Sequence, residues 1–300
     1  MPFDPQCQNP YFGRVEKGTV SGFDVSRLRF LLHAPLPKAY SNFIGRRVLR
    51  FLVTVQGLGA FLLITLGVIF TKLGRARAVT FPLIWQELSR SGVQLLPMFL
   101  FLSIAMGLVV IGQAVSWLTR VNANQFLGTI MVLSVVRELG PLMTGLLVLA
   151  RPGTANVIEL GTSRALGEVE ALESLGIDPI HYLVMPRVIG MAVGTFALTV
   201  YFILGALASG YLWAFLQDVP LRPGEYFSQL AGALTYVDFA VLAVKSCLFG
   251  VIIAVITCYH GLAQPIQLEE VSKATVRAVA QSVIACVLLD ALFIIMYLAI

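Results

Sequence analysis

Few residues of this sequence carry a charge. Asp, Glu, Lys and Arg make up 12% of its 300 residues, whereas hydrophobic residues make up 58%. Soluble domains average about 25% charged residues. A chain with so little charge cannot cover a soluble surface, which excludes a cytosolic enzyme, a disulfide-rich secreted domain and a disordered protein. The composition predicts a membrane protein.

Catalytic and metal-binding motifs are also missing. The sequence has no Gly-x-x-x-x-Gly-Lys-Ser/Thr motif, so it cannot bind ATP by that route. It has no His-Glu-x-x-His motif, and its four cysteines lack the spacing of metal ligands. We therefore predict no catalytic residue, no metal site and no cofactor in this chain, and we do not expect it to be an enzyme.

The positive charge is spread along the chain. The net charge is +5, but the basic residues lie scattered between apolar runs. Such a distribution favours contact with anionic lipid headgroups over nucleic acid. Residues 1–40 are polar and rich in proline, without the apolar core of a signal peptide. We expect the N-terminus to remain in the cytoplasm.

Six stretches are apolar over the roughly 20 residues that a helix needs to cross the membrane. They are residues 51–71, 93–118, 126–150, 188–216, 239–262 and 278–300. Basic residues in short loops stay on the cytoplasmic side. If 51–71 does not cross, the loops place 15 basic residues inside and 2 outside; if it crosses, the numbers are 8 and 9. The first arrangement predicts five crossing helices, with a sixth ordinary span as the alternative.

The predicted fold class is an all-α, polytopic membrane protein whose C-terminus lies outside the cytoplasm. Residues 1–43 form a polar cytoplasmic extension, and residues 44–300 form the membrane domain. That domain begins with an interfacial or re-entrant helix at 44–71.

The connector at 151–187 is longer and more polar than the other loops. It favours helix between Ala155 and Leu175 and ends at a Gly-Ile-Asp-Pro turn at 176–179. A helix that rests on a membrane usually carries Lys and Arg on its polar face. This segment is rich in glutamate instead, which favours a handle for a protein partner over a membrane-resting helix.

Four charged residues fall inside the apolar stretches: Arg137, Glu138, Lys245 and Asp290. Each costs about 2.5–3.5 kcal/mol at the bilayer centre unless it faces protein, water or a partner. Arg137 and Glu138 are adjacent and point in different directions, so each needs a partner on another helix. The simplest pairs are Arg137 with Asp290 and Glu138 with Lys245. These pairs either lock helix packing or line a cavity that responds to its contents. Pro141 also predicts a kink close to them.

A run of motifs resembles the MlaE-type (YrbE-like) permease family of ABC transporters. The motifs are RELGP at 137–141, GLLVLARPG at 145–153, ELG at 159–161, EVEALE at 168–173, GIDP at 176–179 and PR at 186–187. The similarity covers about residues 44–300. It implies an interfacial helix, five crossing helices and a cytoplasmic coupling helix at about 153–175.

The resemblance implies a permease subunit that moves phospholipid between the bacterial inner membrane and a periplasmic MCE-type protein and so maintains outer-membrane lipid asymmetry. The chain would act as a homodimer with a separate ABC ATPase subunit, which binds ATP and Mg, and with a small STAS-domain subunit. The residues matching the lipid pocket are Leu108, Ile111, Gly112, Val115 and Glu138. Lys245 and Asp290 match intramembrane charges of the family. The residues expected to couple to the ATPase are Glu159, Arg164, Glu168, Glu170 and Glu173.

Two other functions remain open. An ion-coupled secondary transporter would use Arg137, Glu138, Lys245 and Asp290 as a proton relay without an ATPase. Many such carriers contain inverted internal repeats, which we do not find here. A structural membrane anchor would have no cavity of lipid size.

Overall fold

The computed structural model describes residues 54–69, 71, 77–121, 127–216, 223–262 and 267–299. The predicted extension 1–43 and residues 44–53 of the predicted interfacial helix lie outside these ranges. Within them, every regular element is helical, which confirms the predicted all-α class.

Five apolar segments in the described part of the chain are long enough to cross a membrane, as predicted. They are Thr80–Arg120, Gly128–Ala165, Ile180–Trp213, Tyr236–Leu262 and Leu268–Tyr297. The apolar helix Thr54–Ile69 is shorter. It extends about 24 Å, less than the roughly 30 Å of hydrocarbon in a bilayer, in keeping with an interfacial or re-entrant position.

We label the helices in chain order. They are α1 (Thr54–Ile69), α2 (Arg77–Ser91), α3 (96–120), α4 (Gly128–Ala165), α5 (Glu168–Ser174), α6 (Met185–Leu216), α7 (Pro223–Ala233), α8 (Tyr236–Leu262) and α9 (Val271–Ala299). A short 3₁₀ turn, Val93–Leu95, separates α2 from α3, and π-helical turns interrupt α3 and α4.

Helices α6 and α8 form the centre of the bundle. Phe99 of α3 and Phe202 of α6 meet edge to face, with ring centroids 6.5 Å apart. Met191 and Phe249 are fully buried in the same cluster. Buried threonines, such as Thr195 of α6, donate hydrogen bonds to carbonyls one turn earlier, which satisfies their hydroxyls inside an apolar core.

Gly250 allows α6 and α8 to approach closely. A Cβ atom at this position would lie 2.6 Å from the carbonyl oxygen of Met191 and 2.7 Å from the Cα atom of Ala192. Backbone atoms cannot move aside cheaply, so we expect G250A to destabilise the protein by about 1–3 kcal/mol, as overpacking does. Thermal unfolding of the purified protein measures the effect. Gly232 has open space around it, so G232A is the matched control and should not destabilise. Equal unfolding temperatures for the two variants would contradict this packing.

The predicted coupling helix at 153–175 consists of two pieces. Residues 154–165 continue α4 without a break, and α5 follows after Gly167, whose φ of 77° favours glycine. Helix α5 ends in a Schellman motif: the N–H of Ile177 donates to the carbonyl of Leu172, and that of Gly176 to the carbonyl of Glu173. The predicted stop at 176–179 is therefore confirmed.

Candidate functional site

A buried lysine joins three of the membrane-spanning helices. Lys245 of α8 is 1% exposed, and its Nζ atom lies 3.0 Å from Oε2 of Glu138 on α4 and 2.7 Å from Oδ1 of Asp290 on α9. One ammonium group thus faces two carboxylates. The predicted pair of Glu138 with Lys245 is confirmed, and Asp290 is its third member. We call these three residues the lysine triad.

The proline after the Arg-Glu pair explains another contact of Lys245. In an α-helix the carbonyl of Arg137 would accept a hydrogen bond from the N–H of residue 141, but Pro141 has none. The Nζ atom of Lys245 donates to that carbonyl at 3.0 Å. Arg137 itself lies in the π-helical turn Val132–Leu139, which ends two residues before Pro141. A backbone acceptor released by the proline is therefore satisfied by a side chain from a neighbouring helix.

Arg137 does not pair with Asp290, so that prediction was wrong. Its Nη2 atom lies 2.9 Å from Oδ1 of Asp238, at the start of α8, and its guanidinium group covers the ring of Tyr297 at 4.9 Å. Asp290 instead forms its ion pair with Lys245. Asp238 was missed because it precedes the predicted apolar stretch by one residue.

Asp238 both pairs with Arg137 and caps α8. Its Oδ2 atom accepts a hydrogen bond from the N–H of Thr235 at 2.9 Å, while its own N–H donates to the carbonyl of Thr235. The pattern Thr-x-x-Asp resembles a capping box, a sequence feature that could have located Asp238.

The two roles of Asp238 can be separated by substitution. D238N can keep an oxygen acceptor for the cap and loses the charge opposite Arg137, whereas D238A loses both. We expect both to unfold at lower temperature than the unsubstituted chain, and D238A to lose about 1 kcal/mol more because the cap is gone. Thermal unfolding in detergent measures this. Equal stability of D238N and D238A would contradict a capping role.

An open groove lies between α3 and α6, close to the predicted lipid-binding residues. Its volume is about 480 Å³, and Leu108, Gly112, Trp117 and Trp213 contribute to its walls. Gly112 is needed here because a Cβ atom would lie 2.8 Å from the indole of Trp213. We call this cavity the α3–α6 groove.

The structure separates the five predicted lipid-binding residues. Leu108 and Gly112 line the α3–α6 groove, and Glu138 belongs to the lysine triad. Ile111 and Val115 are fully buried against other helices of the chain. The role of all five residues in binding lipid stays a prediction.

A chain of ion pairs holds the far end of α4. Glu159 binds Arg90 of α2 through both carboxylate oxygens, with 2.8 Å from Nη1 to Oε2. Its Oε2 atom also lies 3.1 Å from Nη2 of Arg187, whose Nε atom is 3.5 Å from Glu87. Glu159 therefore fixes α4 to α2 and α6. The ion pairs that Arg90, Glu87 and Arg187 form here were not predicted from the sequence.

The other predicted coupling residues lie on or beside α5. Arg164 approaches Glu170 at 3.8 Å and so connects α4 with α5. Glu168, Glu170 and Glu173 are exposed, as are Leu175, at 74%, and Ile177. Val169 is buried and anchors the segment. We call the exposed face of residues 168–177 the α5 surface. It combines acidic and apolar side chains.

Among the described residues, no group of three His, Cys, Asp or Glu side chains is placed to hold a metal ion. The described cysteines are free thiols, and Cys258 and Cys286 are buried in the bundle. The charged clusters described above are ion pairs between helices.

Comparison with known proteins identifies the family. The model of the family Permease MlaE matches residues 84–296. A probable ABC transporter permease of Rickettsia bellii is 32% identical over 81% of this chain and 91% of its own. Protein TRIGALACTOSYLDIACYLGLYCEROL 1 of Arabidopsis thaliana is 32% identical over 68% of this chain and 58% of its own. The intermembrane phospholipid transport system permease protein MlaE of Haemophilus influenzae is 28% identical over 70% and 80%. The chain therefore belongs to the MlaE family of ABC transporter permeases.

Proposed function

We propose that this chain is the permease subunit of an ATP-driven transporter that moves phospholipid between the bacterial inner membrane and a periplasmic MCE-type partner. The name of the Haemophilus relative supports phospholipid as the substrate. Such transport would maintain the lipid asymmetry of the outer membrane. The N-terminus would lie in the cytoplasm and the C-terminus in the periplasm, as the distribution of basic residues favours.

The continuity of α4 carries this proposal. Its 38 residues extend about 57 Å, well beyond the roughly 30 Å of hydrocarbon. Glu138 of the lysine triad and Glu159, which forms ion pairs with Arg90 and Arg187, lie on this one helix, about 32 Å apart along its axis. A force applied near Glu159 would therefore move the helix that carries Glu138.

The α5 surface is the proposed contact for the ATPase subunit. Its glutamates favour a basic partner surface, because complementary charges select partners and speed their association. Leu175 and Ile177 would supply apolar contact. ATP and Mg would bind to the partner, and closure of two such partners would displace α5 together with α4.

Physical chemistry explains why lipid transfer needs an energy source. Leaving an apolar cavity for water costs an acyl chain about 0.8 kcal/mol for each CH₂ group. Emptying the cavity therefore requires work and a shielded path. A homodimer of this chain would enclose the cavity, an MCE-type protein would form the path, and a small STAS-domain subunit would complete the assembly.

Purification of the full chain from its native membrane in mild detergent, followed by mass spectrometry, tests the proposal. We expect bound phospholipid and a co-purifying ATPase. Finding neither would overturn the proposal. The ion-coupled alternative rests on the two carboxylates around Lys245, because the single ammonium group neutralises only one of them and the other is free to carry a proton. It predicts that no ATPase co-purifies and that transfer follows a proton gradient.

A further inference from the structure

The lysine triad contains more acidic than basic groups. Lys245 supplies one ammonium group, whereas Glu138 and Asp290 supply two carboxyl groups, whose oxygens lie 3.0 and 2.7 Å from its Nζ atom. Because both oxygens contact the same nitrogen, they lie within about 6 Å of each other, the range in which like charges oppose each other's ionisation. The two carboxyl groups also interact directly with each other. With both carboxyl groups ionised, the triad would hold one unbalanced negative charge.

Arg137 does not balance this charge, although it is adjacent to Glu138 in the sequence. Its Nη2 atom lies 2.9 Å from Oδ1 of Asp238, and its guanidinium group covers the ring of Tyr297. Arg137 and Asp238 therefore form a balanced pair of their own. In the described part of the chain, Lys245 is the basic residue that forms ion pairs with Glu138 and Asp290.

The other groups around the triad supply no positive charge. Cys286, one turn before Asp290, and Tyr297 are titratable neighbours of its carboxyl groups, and a thiol and a phenol are largely uncharged at neutral pH. Helix α6 carries one charged side chain, Arg187, which pairs with Glu87 and Glu159. Apart from Arg137, the other basic residues of α4, α8 and α9 lie at least 13 residues from the triad along their helices, or about 20 Å.

The surroundings of the triad disfavour an unbalanced charge. All three residues lie on segments long and apolar enough to cross a bilayer, and the side chains of Lys245 and Asp290 are 1% and 11% exposed. Little water is therefore available to solvate a second carboxylate. Two carboxyl groups this close avoid double ionisation by sharing one proton. The protonated group also becomes a hydrogen-bond donor, which an ionised carboxylate is not.

We propose that Glu138 and Asp290 share one bound proton at neutral pH, so that the lysine triad is electrically neutral inside the membrane. The proton site is built by α4, α8 and α9 together. The proton is released when these helices separate and both carboxyl groups reach water, which distinguishes it from a proton that passes along a relay. The inference does not rest on the proposed function, because it concerns the folded chain without lipid or ATPase.

Thermal unfolding of the full-length protein in detergent as a function of pH tests the proposal. In the unfolded chain both carboxyl groups ionise above about pH 4, so the native state binds one more proton than the unfolded state. Raising the pH then favours unfolding, and the folding equilibrium constant falls by up to about tenfold for each pH unit. We expect the unfolding temperature of the unsubstituted chain to fall between about pH 6 and pH 8 for this reason.

Three variants identify the source of this pH dependence. E138Q and D290N each leave Lys245 with one carboxylate, so neither needs the proton, and the fall in unfolding temperature should be lost or much reduced in both. Glu269 is exposed in the 3₁₀ turn before α9. E269Q is therefore the matched control, which removes one carboxylate outside the triad and should keep the pH dependence of the unsubstituted chain. The same pH dependence in all four proteins would overturn the proposal.

Infrared spectroscopy of the unsubstituted chain gives a second measurement that does not require a folded variant. A protonated carboxyl group has a C=O stretching band separate from the bands of ionised carboxylates. We expect this band at neutral pH and its disappearance as the pH is raised, and we expect E269Q to show it as well. A neutral-pH spectrum that contains only ionised carboxylates would show that the triad binds no proton.

Discussion

Replacement of Lys245 by methionine, K245M, should destabilise the protein severely and abolish transport. The substitution leaves the carboxylates of Glu138 and Asp290 facing each other without the ammonium group that lies 3.0 and 2.7 Å from them. Removing one partner of a buried ion pair costs about 3–5 kcal/mol. It also leaves the carbonyl of Arg137 without the hydrogen bond that Lys245 donates. We expect a large loss of monodisperse protein in size-exclusion chromatography.

A charge-neutral version of the triad distinguishes packing from function. The triple variant E138Q/K245M/D290N removes the charges together and keeps side chains of similar size. Neutral replacement of a whole buried ion pair is often tolerated, so we expect this variant to fold. On the proposal that Glu138 lines the lipid cavity, we expect its rate of phospholipid transfer to be at least tenfold lower. A folded triple variant with full activity would show that the triad only locks the helices together.

Reversal of charge on the α5 surface should separate the permease from its ATPase. In the double variant E168K/E173K two exposed glutamates become lysines, so a partner surface selected for acidic residues meets like charge, which costs several kcal/mol. Because neither side chain forms a salt bridge in the described structure, the fold should be unaffected. We expect the ATPase to be lost on purification and ATP-dependent transfer to fall at least tenfold.

The matched control for this prediction lies at the start of α9. Glu269 and Glu270 are also exposed, next to each other in a 3₁₀ turn. The variant E269K/E270K makes the same change of net charge outside the α5 surface. It should retain the ATPase and most of the transfer activity. Equal losses in the two double variants would show that the effect is a general one of charge.

The number of crossing helices could be predicted because charge and hydropathy act over whole segments. Counting basic residues distinguished five spans from six, and the structure has five in its described part. The end of α5 could be predicted because Gly176 allows the left-handed conformation that a Schellman motif needs. The same property of Gly167 divides the predicted coupling helix into two pieces.

The ion-pair partners inside the membrane could not be predicted fully. The triad depends on how far α8 and α9 are shifted along α4, and close contacts such as that of Gly145 on α4 with Phe249 on α8 bear on this position. Two acidic residues, Asp238 and Asp290, were available for Arg137; Asp290 pairs with Lys245, and Arg137 pairs with Asp238. The contact of Lys245 with the carbonyl of Arg137 follows from Pro141, once α8 is known to lie beside it.

Transfer of fluorescent phospholipid from proteoliposomes to acceptor vesicles is the most direct test of the central claim, which is that a separate ATPase moves lipid through this chain by acting on α4 and α5. With the chain and its ATPase reconstituted together, the account predicts transfer that requires ATP, is abolished in E168K/E173K and is insensitive to a proton gradient. Transfer that persists without the ATPase and follows the proton gradient would contradict it.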